Sequence, residues 1–175
     1  MPRWTGLVLL FALVLHALVV KMPSGLLPEM LFACHIASVV LALGILLRRR
    51  DLVAVGFWFH AGVGLWGCLL DAIAAGTTTP TSVLVHVLPL VIGYGELKHR
   101  EVPRWIPLGA FGLLVGAIVL SYLVTPPTLN VNMAHRVWPP VARIVPSLWA
   151  SWAANLVLAC VLLLVADRLL RRILA

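Results

Sequence analysis

The sequence predicts an all-α, polytopic membrane protein of six transmembrane helices with both termini on the cytoplasmic side. Three observations predict it. Of 175 residues, 62% are hydrophobic and only 11% charged, against about 25% charged in soluble domains. So little charge cannot cover a water-facing surface, and lipid must be the solvent for most of it. Apolar residues come in runs close to the roughly 20 that cross a bilayer, and mean hydropathy is +1.07. Basic residues crowd alternate connecting segments, as loop charges do when they orient a membrane protein.

The spans are read at 4–20, 26–47, 52–75, 81–97, 105–124 and 148–169 of a single domain, residues 1–175. The first follows Arg3 like a signal peptide. However, Leu18-Val19-Val20-Lys21 offers no small-residue cleavage site, so the segment is expected to stay as a helix. Lys21 to Gly25 makes a turn, and Pro28 suits the first turn of the second helix. The run Arg48-Arg49-Arg50-Asp51 ends that helix, and Gly76 to Thr81 is a short uncharged loop ending in a helix-start signal. Lys98 to Arg104 is polar and carries Pro103. The long connection, 125–147, holds Pro126, Pro127, Pro139, Pro140 and Pro146. It is too apolar for a free tail, so it should lie on the membrane surface, with Trp138 as anchor, or fold back over the bundle.

Ten basic residues (Arg3, Arg48, Arg49, Arg50, Lys98, Arg100, Arg104, Arg168, Arg171, Arg172) fall on one side and three (Lys21, Arg136, Arg143) on the other. By the positive-inside rule the ten are cytoplasmic and loop 125–147 is external, in an inner (plasma) membrane. The same clustering accounts for the net charge of +7 and argues against nucleic acid as a partner. Cys34, Cys68 and Cys160 lie in apolar runs without a CxxC, which speaks against a disulfide framework and a structural zinc.

Ionisable groups in spans are costly and are functional candidates by default. Here they are His16, Glu29, His35, His60, Asp71, His86 and Glu96, joined by Cys34, Cys68 and Asn155. By helical rise, His16, Cys34, His35, Asp71 and His86 fall in the outer half, His60 near the middle, and Glu96 and Asp167 at the inner boundary. In the third span His60, Gly64, Gly67, Cys68 and Asp71 recur at helical spacing and are expected on one face. Pro89 frees the carbonyl of Val85 beside His86. Cys34 and His35 point about 100° apart, so only one is expected to share a site with His86: Cys34 with Ser38, or His35 with Val39. Trp4, Trp66, Trp105, Trp138 and Trp149 read as an interfacial belt.

The order Leu27-Pro28, Cys34, Arg48-Arg49-Arg50, the aromatic, Gly-rich stretch 57–67, His86, Asn130-Val131-Asn132, Trp138-Pro139-Pro140 and Trp149/Trp152 resembles the bacterial YwaF-type membrane proteins. The family usually carries a His two residues before the Cys, where this chain has Phe32. Its eukaryotic relatives include an ether-phospholipid acyltransferase, and the androgen-induced membrane hydrolases, which cleave lipid esters, are similar. The resemblance implies a catalytic Cys–His pair at Cys34 and His86.

Three functions follow as expectations. The first is lipid acyl transfer or hydrolysis on membrane lipids, with Cys34 as nucleophile, His86 as base, Asp71 orienting it, and backbone freed at Pro89 helping hold the oxyanion. The second is a haem b protein or an accessory subunit held by partner subunits, with ligands drawn from His16, His35 and His86. The third is a small transporter or scaffold, although no paired broken helices mark a repeat-based transporter.

Overall fold

The computed structural model describes residues 2–75, 79–139 and 141–175, with the backbone alone at 70–72, 74 and 75. The loop residues 76–78, Pro140 and the side chain of Asp71 therefore lie outside the described residues. The described chain is all-helical, without strands. In order come α1 (Trp4–His16), continued by a π turn (Ala17–Lys21), then a 3-10 turn (Leu27–Leu31) and α2 (Ala33–Leu46). Next are α3 (Arg50–Phe59), a second π turn (His60–Gly64) and α4 (Leu65–Ala75) in one rod. The chain ends with α5 (Pro80–Leu97), α6 (Ile106–Val124) and α7 (Leu148–Leu174).

Among the described residues, five helices are long and apolar enough to cross a membrane: Trp4–Lys21, Arg50–Leu69, Pro80–Leu97, Ile106–Val124 and Leu148–Leu174. The second expected span is different. Its α-helix has only 14 residues, roughly 21 Å at 1.5 Å per residue, because the chain leaves helical geometry at Phe32 (φ −54°, ψ 138°).

The turn chemistry follows from local backbone accounting. At the end of α2, Arg48 takes a left-handed φ of 58°. Arg49 N then donates to Gly44 O at 2.7 Å and Arg48 N to Ile45 O at 3.2 Å, the Schellman pattern that satisfies terminal carbonyls. Ahead of α5, Thr79 Oγ1 accepts from Ser82 N at 3.2 Å, with Pro80 inside the first turn.

Small residues let the helices meet. A Cβ on Gly56 would stand 2.6 Å from Ala37 O, one on Gly44 2.6 Å from Val53 N, and one on Gly6 2.9 Å from Ala42 O. These contacts bind α1, α2 and α3 along their lengths, as close backbone approach does in lipid. Ala37, Leu41, Ala42, Trp58 and Ile106 form a sealed core, while Phe11, Leu108, Leu123 and Ile73 point outward as lipid-facing groups do.

At the basic end of the bundle, Trp58 is buried rather than interfacial. Its Nε1 donates to Asp167 Oδ1 at 2.9 Å, and Asp167 also pairs with Arg171. At the opposite end, residues 131–135 fold back over the bundle. Val131 and Ala134 are fully buried there, and Trp152 Nε1 donates to Met133 O at 3.0 Å. His135 stacks on Tyr122 with centroids 5.3 Å apart.

Candidate functional site

Four buried histidines from four segments meet in a row at the junction of α1, α2, α5 and the His60–Gly64 turn. Ring centroids are 5.4 Å apart for His16 and His35, 6.2 Å for His35 and His86, and 6.3 Å for His86 and His60. All four side chains are buried.

Their tautomers follow from the partners. His86 Nδ1 lies 2.7 Å from Ser82 O, one turn earlier on α5, and His35 Nδ1 lies 3.2 Å from Glu29 O. A carbonyl only accepts, so both Nδ1 atoms carry a proton. His16 Nδ1 is paired with Thr81 Oγ1 at 3.0 Å. His60 Nε2 is paired with Ser38 Oγ at 2.9 Å, and among the described residues His60 Nδ1 has no hydrogen-bond partner.

Ser38 ties the row to Cys34. Its Oγ reaches Cys34 O at 3.1 Å on its own helix and Val85 O at 3.4 Å on α5. Pro89 has no N–H to offer Val85 O, so the proline does free that carbonyl, and Ser38 uses it. The expectation that this backbone holds an oxyanion is thereby corrected: a freed carbonyl is an acceptor, and an oxyanion needs donors.

Cys34 itself is partly buried against the core in the first turn of α2, not in mid-helix as the sequence reading had it. Asn132 explains the difference. Its Oδ1 accepts from Ala33 N at 2.8 Å and its Nδ2 donates to Leu31 O at 2.8 Å. One amide side chain therefore satisfies two of the backbone groups that the break at Phe32 would leave open, where lipid offers no water to do so.

Of the expected choice between Cys34 and His35, His35 is the one whose ring the structure sets against His86. His35 turns inward against His16 and His86, while Val39, its expected face-mate, is exposed. On a helical wheel Ser38 lies between Cys34 and His35, and its Oγ meets His60 Nε2 at the junction.

Of the single face expected in the third span, His60 and Gly64 lie together in the bundle, Gly67 does not, and the side chain of Asp71 lies outside the described residues. The π turn takes more residues per turn than an α-helix and shifts the phase beyond it. Gly62 packs on Leu163, and nothing lies within 4 Å of a Cβ on Gly67. Glu29, another expected candidate, is paired with Lys21 at 2.6 Å.

Among the described residues no three His, Cys, Asp or Glu side chains converge as a metal centre requires. A porphyrin between two of the rings would have to part α1, α2 and α5, which pack directly on one another.

Sequence reasoning missed Asn132 and His60's bond to Ser38. The only signal for Asn132 was the Asn130-Val131-Asn132 motif. The site thus belongs to an all-helical chain with five membrane-length apolar helices and an imidazole row sealed among them. No family model, curated protein or solved structure matches the chain.

Proposed function

We propose that the chain is a membrane enzyme of acyl-lipid transfer or hydrolysis, with Cys34 as nucleophile and His86 as base. The observation that carries this reading is the position of Cys34 in the first turn of α2, one turn before Ser38, whose Oγ reaches Val85 O next to His86. A helix N-terminus favours negative charge, and a thiolate is the form of cysteine that attacks. Ser38 brings the Cys34 turn and the Val85–His86 turn to one level. The resemblance to the YwaF-type proteins and their lipid-modifying relatives supports the same pair.

In the reaction, Cys34 Sγ gives its proton to His86 Nε2 and attacks the carbonyl carbon of a lipid ester. The ester C–O bond breaks, and the leaving alcohol takes the proton from His86. Water or an acceptor lipid hydroxyl then attacks the thioester, giving its proton to His86. As the C–S bond breaks, His86 returns that proton to the Cys34 sulfur. The backbone carbonyl of Ser82 holds His86 Nδ1, the task the sequence reading gave to Asp71, whose side chain lies outside the described residues.

The reading includes a six-crossing topology with both termini in the cytoplasm of an inner (plasma) membrane, the sixth crossing being the broken segment 27–46. The ten-to-three charge asymmetry supports it. Lipids are the partners it requires. A haem-binding or subunit role is the second reading, favoured by the pinned Nδ1 atoms of His35 and His86.

The test is mass spectrometry of the purified protein in nanodiscs of ester phospholipid. A hydroxylamine-sensitive acyl group is expected on Cys34 and not on Cys68 or Cys160. His86→Gln should slow its formation about 100-fold or more. Turnover retained in Cys34→Ala overturns the enzyme reading, and a Soret band in the visible spectrum moves the haem reading ahead.

A further inference from the structure

We propose that Asn132 is a positioning residue for Cys34, keeping α2 broken so that the nucleophile stands at a helix start; this rests on the acyl-transfer reading above. The Asn132 amide is fully engaged. Besides Ala33 N and Leu31 O, its Nδ2 donates to Ser121 Oγ at 2.8 Å and to Ala117 O at 3.3 Å. Ala117 and Ser121 belong to the unbroken helix α6, so the side chain links a rigid rod to the break in α2.

The loop is built to deliver this side chain. Asn130, Asn132 and Met133 all take left-handed φ, at 49°, 54° and 55°. Asn130 serves the loop's own shape: its Oδ1 accepts from His135 N at 3.0 Å and Arg136 N at 2.7 Å, and its Nδ2 donates to Arg136 O at 3.0 Å. Asn132 reaches into the bundle instead, flanked by fully buried Val131.

Without that amide, Ala33 N–H and Leu31 C=O would face a medium that offers no hydrogen bonds. The cheapest remedy is for Phe32 to relax into helical geometry, fusing the 3-10 turn with α2. Cys34 would then lie in mid-helix, away from the charge-favouring end. Asn132 touches no reacting atom in this scheme and acts through the α2 backbone.

Asn132→Gly is the test variant, because glycine accepts the left-handed conformation without strain and removes only the side chain. Protein in nanodiscs is treated with iodoacetamide, and alkylation at each cysteine is followed by mass spectrometry, with lipid-exposed Cys160 as the internal standard. The Cys34-to-Cys160 rate ratio is expected to fall about tenfold. Asn132→Asp, which keeps an acceptor for Ala33 N, should recover part of it.

An unchanged ratio in Asn132→Gly overturns the proposal, and so does an equal loss in the Asp variant. Should the Gly variant not fold, Ser121→Ala decides: a smaller loss of the same sign supports the role, and an unchanged ratio overturns it. The wild-type thioester experiment judges the acyl reading, and this ratio judges the clasp, so the two failures are distinguishable.

Discussion

Ser38 concentrates much of the site's polar bonding in one hydroxyl. It has one proton and three neighbours, Cys34 O, His60 Nε2 and Val85 O, so His60 Nε2 donates to it whenever the hydroxyl proton goes to a carbonyl. Ser38→Ala leaves the buried imidazole and the Pro89-freed carbonyl without that partner. Exposing such groups to an apolar interior costs about 1–3 kcal/mol, so thermal unfolding in detergent should occur several degrees lower. Ser38→Thr keeps the hydroxyl and should lose less. Unfolding of Ser38→Ala at the wild-type temperature would remove the hydroxyl from the account of the site. At this scale the sequence was partly legible: ionisable residues in apolar runs are few and conspicuous, so Cys34, His35, His60 and His86 stood out at once. Their partners did not, because Asn132 bonds Ala33 across 99 residues, and no local pattern encodes such a distance.

Among the elements, glycine spacing sets how closely helices approach. Gly44 and Gly56 stand where a methyl group would overlap the backbone of the facing helix. Gly56→Ala should therefore cost about 1–3 kcal/mol or more through forced separation of α2 and α3. Gly112 and Gly116 on α6 have nothing within 4 Å of a Cβ. Alanine there should be neutral or stabilising by up to about 1 kcal/mol, from helix propensity alone. Equal losses in both sets, measured by unfolding in one detergent, would contradict the packing described. Helix existence and most boundaries were legible from apolar run length and from Pro and Gly punctuation. The break at Phe32 and the π turn at His60–Gly64 were not. Both arise from tertiary contacts that override a continuous apolar pattern, and the second leaves Gly67 off the face that His60 and Gly64 share.

For the molecule as a whole, charge distribution is the information that packing does not contain. Lipid lets the bundle sit either way up, and only the basic clusters choose. A reporter that needs the external compartment, fused after Ala175, should be inactive. A cysteine at exposed Thr128 should label from outside with an impermeant maleimide. Labelling of Thr128→Cys only after permeabilisation would invert the topology and leave the site's geometry untouched. The two questions are separate.

The clasp between Asn132 and Ala33 also has a consequence in time. A chain grows at roughly 5–20 residues per second, so the 99 residues between the two partners take about 5–20 s to synthesise. Through that interval the second segment is already made while its closing amide does not yet exist. Cys34 is therefore among the first groups to reach the bilayer and among the last to be set in its working surroundings. Under the proposed acyl-transfer reading, the nascent protein carries an unarmed thiol until the final third of the chain arrives.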